Sequence, residues 1–380
     1  MLEAFGQVEL NTRAERAMLS LARHIQENPQ GHDPMDALAS PLLRSLPKNL
    51  RIASTQFFRY SPVNLRGVLG IPEDLGPKAA GLLLSASCRM GESGQDIMAI
   101  SRESLCQKEW HSRHWSWGYT YPWQDRHSLL PPCTPNIVAT AYAGHGLMDH
   151  YTLTGERESL TMAESACRFI LELPRTDGVC FSYTPVSRDI VLNASALGAS
   201  LLARVGNTLE EKEFLEEASA AVEFIVSKQN KDGSWPYSLD PETGEPRTQN
   251  DWHQGFILDS LDWCSSALGS NLEDAIKYGA EFYKTLFTSD GRGYMRHPRL
   301  WPIDLHNQAQ GIVTFSRLRE KVDGASEQAD KILGWTLDNM LAKDGSFYYQ
   351  RHKRIVNKIP YTRWQAWMLY ALGWYLEAKE

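Results

Sequence analysis

Two short runs set an acid two residues before a histidine: Asp251-Trp252-His253 in NDWHQG and Asp304-Leu305-His306 in WPIDLHNQ, 53 residues apart. Imidazole is the side chain whose ordinary pKa lets it take and return protons near neutrality. A neighbouring carboxylate can orient it, or serve as acid or base itself. Two chemistries fit these groups. Asp251 and Asp304 can act as a carboxylate pair that hydrolyses a glycosidic bond, their separation setting the stereochemical course. His253, His306 or a tyrosine such as Tyr183 can instead remove and return a proton beside a carboxylate, with arginines holding the charge that develops. An Asp at a helix entrance is also a common N-cap, so a structural reading competes at both positions.

The side chains around these pairs suit a polar, ring-shaped ligand. The chain holds 12 Trp and 15 Tyr, many in polar segments such as Trp110–Trp123 and Phe347–Trp364. Trp117, Trp123, Asp125, Arg126, Asn193 and Trp252 are candidate substrate contacts, and rim tyrosines can stack on sugar faces or donate protons. The segment Gly291–Ile303 has three arginines and no acid, and Gly345–Arg363 has five Lys or Arg and no acid, in a protein of net charge −7. That asymmetry predicts an anionic ligand carrying uronate, sulfate or phosphate, unless the charges are merely solvated. Arg296, His297, Trp301, Tyr348, Arg351, Lys358, Tyr361 and Arg363 are the candidate contacts. No metal and no cofactor is expected: two Asp and two His make no specific ligand signature. The glycine-rich and nucleophile-elbow motifs of NTPases, dinucleotide enzymes and serine hydrolases are absent from the sequence. The acidic balance argues against nucleic acid as a partner.

What positions these residues is a repeat. Asp-Gly followed by an aromatic occurs at Asp177, Asp232, Asp290 and Asp344, in steps of 55, 58 and 54 residues. Gly accepts positive φ, so each pair marks a turn, and a fixed period marks a repeating architecture. After each turn comes a helix rich in small and apolar residues, and then an amphipathic one such as Thr208–Gln229. Extending the period upstream gives inner helices starting near 77, 135, 190, 252, 305 and 362. Outer helices fit near 9–28, 94–109, 158–172, 210–229, 271–287 and 325–342. The expectation is an all-α (α/α)6 toroid over 1–380, six inner and six outer helices with short strand-like loops on one rim. Each Asp-Gly would then return the chain from the outer to the inner ring. Residues 1–75 supply an outer helix and an irregular segment; Leu38–Gly67 is poorly periodic and yields no element. Six scattered cysteines without a C-x-x-C pair read as reduced thiols. The N-terminus lacks a signal pattern and no 18-residue apolar run occurs, so a cytoplasmic protein without an integral membrane segment is expected.

The stretch QNKDGSWPY resembles the Q-x-x-D-G-x-W repeat of squalene and triterpene cyclases, but their D-x-D-D acid motif is missing, which leaves terpene cyclisation a remote alternative. Across nearly the whole chain, WGYTYPWQDRH, FSYTP, NDWHQGFILDSL, WPIDLHNQAQ and YTRWQAWMLYAL resemble the six-hairpin glycosidase-like superfamily, and within it bacterial proteins associated with exopolysaccharide biosynthesis. The resemblance implies a carbohydrate-active enzyme of polysaccharide assembly acting on an anionic sugar, or a non-catalytic glycan-binding component. Unsaturated glucuronyl hydrolases of this superfamily use acidic rim residues, to which Asp251 and Asp304 would be analogous. N-acylglucosamine 2-epimerases share the ring and use histidines for proton transfer, the part His253 and His306 would play.

Overall fold

The computed structural model describes residues 2–107, 112–124 and 128–379. Helix α1 (Leu2–Glu27) is followed by a connection holding α2 (Pro41–Arg44) and α3 (Lys48–Tyr60). From there inner and outer helices alternate. They are α4 (Pro77–Ser87), α5 (Gln95–Leu105), α6 (Ile137–Thr154), α7 (Arg157–Leu171), α8 (Leu192–Leu209), α9 (Lys212–Ser227), α10 (His253–Leu268), α11 (Glu273–Lys284), α12 (Leu305–Arg317), α13 (Ala325–Met340) and α14 (Thr362–Glu377). The even-numbered helices from α4 onward pack side by side in chain order, and α14 returns to α4 to close the ring. With α1 packed on α13 and α14, six inner and six outer helices form the expected toroid.

Sequence explains the division of labour. Inner helices such as α4 and α12 are buried on nearly every face, whereas α7 and α11 bury one stripe and present charge on the other. The four Asp-Gly turns each join an outer helix to the next inner one. Gly233 and Gly345 sit at φ +89° and +86°, and a Cβ there would collide with the backbone of Tyr278 on α11 and Ser20 on α1. These turns, and Gly291 against Lys331 of α13, therefore dock their hairpins onto the following outer helix, whereas Gly178 has no such contact.

A second device ties every turn to its own inner helix. Gln254 Oε1 accepts from Trp235 N at 2.9 Å while its Nε2 donates to Trp235 O at 2.8 Å. Gln365 does the same to Phe347, both bonds 2.8 Å, and Gln308 bridges Gly293 N and Gly291 O. In the Asp177 unit the hydroxyl of Ser195 accepts from Phe181 N. The rim carries β1 (Trp123–Gln124) paired with β2 (Leu129–Leu130), then two three-stranded sheets. β3 (Ile190–Val191) pairs with β4 (Ser238–Leu239), which pairs with β5 (Pro246–Arg247); β6 (Ile303–Asp304) pairs with β7 (Gln350–Arg351), which pairs with β8 (Val356–Asn357). All pairings are antiparallel, and two of them join loops of different hairpins.

The opposite end of the ring is sealed. Arg89 and Arg204 hold Asp149 at 2.9 and 2.5 Å, and Arg317 holds Asp262 at 2.7 Å. Their guanidinium groups lie over Trp374 and Trp263 at 3.9–4.7 Å. Cations suit this end because the inner helices terminate there with exposed carbonyls. No helix among the described residues is long and apolar enough to cross a membrane, and all six cysteines are free thiols. The segment Leu38–Gly67 does form structure, α2 and α3, where the sequence showed no period: Thr55 and Phe58 alone are buried on α3, too few for a stripe.

Replacing Gln365 by Ala would strand the buried N–H and C=O of Phe347, at a cost of about 2–4 kcal/mol. Urea unfolding of Q365A should show that loss; a change below about 0.5 kcal/mol, the size typical of surface substitutions, would remove the glutamine bridges from the account of the fold.

Candidate functional site

The N-termini of the inner helices converge on the open end of the ring, where a cavity of about 660 Å³ is lined by residues of all six of them and by rim loops. Asp251, immediately before α10, is almost fully buried. Its Oδ1 accepts from His253 N at 3.1 Å and from His253 Nδ1 at 2.6 Å, and its Oδ2 accepts from Gln249 Nε2 at 2.8 Å. A carboxylate accepts only, so Nδ1 carries the proton shared with Asp251, and Nε2 is the ring nitrogen outside that bond. The ring is fixed further by Trp252 at 5.2 Å, Tyr237 at 4.8 Å and Phe256 at 5.6 Å. This is an imidazole oriented by a carboxylate and open to the cavity.

His306, in the first turn of α12, lines the same cavity. Trp252, Phe256, Trp364 and Trp367 surround it at 4.5–5.7 Å. Burial, followed by the charges of Lys78 and Arg363, holds its pKa well below the usual imidazole value, so it is neutral at physiological pH. Its Nε2 is buried without a hydrogen-bond partner among the described residues. The two histidines share Trp252 and Phe256 as neighbours.

Asp304 does not join them. It is fully buried as the N-cap of α12, where Oδ1 accepts from His306 N at 2.9 Å and from Trp364 Nε1 at 2.8 Å, and Oδ2 from Gln350 Nε2 at 2.6 Å. Its lone pairs are spent on β7, α12 and α14, beneath the cavity rather than in it. Burial raises its pKa. The expected Asp251/Asp304 carboxylate pair is therefore not assembled on the cavity wall, and Asp251 is the one carboxylate among the described lining residues.

Of the other candidates, Tyr183, Asn193, Trp252, Arg296, His297 and Arg363 line the cavity. Tyr183 and Tyr119 share a hydroxyl hydrogen bond of 3.0 Å. Arg363 is paired with Asp33 at 2.7 Å, and Asp33 also accepts from Tyr121. Trp123 packs on Tyr119 and Tyr183 and lines a neighbouring groove. The remaining placements correct the sequence expectation. Trp117 is a core residue, its Nε1 donating to Leu105 O. Tyr361 is fully buried and accepts from Arg66 Nη1. Arg351 donates to Asn339 O, and Lys358 lies over the ring of Tyr348; neither borders the cavity. Trp301 borders a separate shallow depression. Asp125 and Arg126 lie outside the described residues.

Sequence reasoning missed Arg59, Lys78, Tyr119, Tyr237, Gln249, Phe256 and Arg299 on the wall. For Lys78 a signal existed: it is the lone charge in GPKAAGLLLSAS, an otherwise uncharged run opening an inner helix. Arg59 had none, because α3 itself was not legible. The wall thus carries Arg59, Lys78, Arg296, Arg299 and Arg363 against the single carboxylate of Asp251.

No family model matches the chain, and no curated protein matches it in sequence. Solved structures do match in shape. Cellobiose 2-epimerase from Bacillus thermoamylovorans B4167 superimposes with a TM-score of 0.62 at 12% identity, over 80% of this chain and 90% of its own. The unsaturated glucuronyl hydrolase of Bacillus sp. GL1, responsible for glycosaminoglycan degradation, gives 0.65 at 14% over 95% and 96%. A possible member of the GH105 family from Salmonella enterica gives 0.68 at 12% over 96% and 94%. Identities this low establish the fold alone: the chain is an (α/α)6 toroid similar to sugar epimerases and glycoside hydrolases of the six-hairpin kind.

Proposed function

We propose that this protein is a sugar epimerase or isomerase that moves a proton at a carbon next to a carbonyl or carboxylate, on an anionic sugar. The observation that carries the reading is the pairing of a carboxylate-oriented His253 with a neutral His306 on one cavity wall. Two imidazoles can remove a proton from one face of a carbon and return one to the other, each contributing as a positioned acid or base. Hydrolysis is the weaker reading, since both routes call for two carboxylates flanking the scissile bond and Asp304 is committed to the fold. The excess of arginine and lysine suits an anionic ligand and an enediolate-like charge in the transition state. The setting we propose is polysaccharide assembly, which rests on the sequence resemblance, in the cytoplasm, which rests on the N-terminal sequence pattern.

Incubating the protein in deuterium oxide with uronate-containing oligosaccharides, nucleotide sugars and reducing aldoses tests the reaction class by mass spectrometry. Deuterium retained at a ring carbon without chain cleavage is the expected result; shorter products without ring deuterium would return the case to hydrolysis. Binding without any change in the sugar would identify a glycan-binding component.

Asp251→Asn keeps the shape beside His253 but removes the charge that orients and supports its imidazolium. The exchange rate should fall about 10²–10⁴-fold, the scale of acid–base catalysis, with KM changed little. His306→Gln should do the same. For pH, burial keeps His306 neutral until well below the ordinary imidazole range, so its protonation should not be the cause of any activity lost just below neutrality; a pH–rate profile of H306Q should keep the same limb there as the wild type.

A further inference from the structure

Lys78 stands in the first turn of α4, 5% exposed, and its Nζ reaches across the ring axis to aromatic rings of three other inner helices. Tyr142 of α6 is 4.6 Å away, and Phe256 of α10 and Trp367 of α14 are each 5.2 Å away. No hydrogen bond or ion pair joins it to any described residue. The charged groups acting on it are Arg363 on α14, which disfavours the ammonium, and the Asp33 carboxylate paired with that arginine, which offsets it in part. A buried cation without a bonded counter-ion is costly. Lys78 nonetheless lines both the central cavity and the adjoining pocket around Asp33 and Tyr121.

Burial, then the charge of Arg363, pushes the Lys78 amine well below its ordinary pKa, and the positive end of α4 acts in the same direction. The ring faces and the Asp33 carboxylate favour the ammonium form and oppose this only in part. A desolvated lysine next to another cation is the environment that turns an amine into a nucleophile.

We propose that Lys78 is a nucleophilic amine that condenses with the aldehyde of an open-chain reducing sugar held in the cavity. Nζ attacks the carbonyl carbon, the C–N bond forms, and the oxygen leaves as water once the carbinolamine is protonated, giving an iminium. That iminium draws electrons from the neighbouring C–H bond, the proton that the proposed histidine chemistry would move. The inference rests on the reading above only in requiring that a reducing sugar enters the cavity.

Reductive trapping tests it. The full-length protein is incubated near pH 7.4 with D-mannose or D-glucuronate and cyanoborohydride, which delivers hydride to an iminium and fixes it as a secondary amine. Peptide mapping then locates the adduct. An ordinary lysine is only about 0.1% free amine at this pH, so Lys78 should be labelled at least about tenfold faster than exposed lysines such as Lys277. Lys78→Arg should lose that fast adduct while still binding a methyl glycoside, which cannot open to an aldehyde. Labelling of Lys78 no faster than Lys277, or fast labelling surviving in K78R, overturns the proposal. Ring deuterium exchange in the wild type without a Lys78 adduct overturns this inference and spares the epimerase reading; an adduct without exchange does the reverse.

Discussion

Everything in this molecule depends on closing the ring. A helix hairpin of about 55 residues cannot bury the apolar faces of its inner helix by itself, and each gains its missing neighbour from the next hairpin. The last inner helix, α14, must find the first, α4, and α1 must cover the seam over α13 and α14. The junction repeats the internal rule: Gly345 lies against Ser20 of α1 as Gly233 lies against Tyr278 of α11. The chain ends are thereby ordinary members of a cycle.

Closure also creates the site. Six inner helices running the same way bring their N-termini to one rim and their C-termini to the other. Arginines stacked on Trp263 and Trp374 suit the carbonyl end and block it. The amide end stays open, with a positive field before any side chain is considered, and Arg59 and Arg363 strengthen it. Burial first, and then that field, keep His306 neutral.

The same rim shows how one motif takes two roles. Asp251 and Asp304 occupy matching positions before inner helices, each with a histidine two residues on. Asp304 is drawn into β6, and Gln350 and Trp364 consume its lone pairs. Asp251 has no strand partner of that kind; its carboxylate turns to His253 and Gln249. A difference in neighbours, not in motif, separates an N-cap from a residue that orients an imidazole.

The architecture was readable from the chain because it is written locally and periodically: the Asp-Gly spacing, the apolar inner helices and the striped outer ones need only short-range pattern. The central histidines, Tyr183, Asn193 and Arg363 were legible because they fall at fixed phases of that repeat. Trp117 and Tyr361 misled because an aromatic in a polar loop can turn inward, and its direction is set by distant partners such as Leu105 and Arg66. Lys78 and Arg59 came into view only in three dimensions. Their roles depend on what closes over them, the rings of Tyr142, Phe256 and Trp367 in one case and the packing of α3 on the rim in the other. Sequence by itself determined the number, order and phase of the twelve ring helices, since each is set by its own residues, while α2 and α3 lay outside its reach. Tertiary structure decided which acid orients a histidine on the cavity wall, which lysine is unpaired and which aromatics face the cavity, since burial and charge pairing are properties of neighbours far apart in the chain.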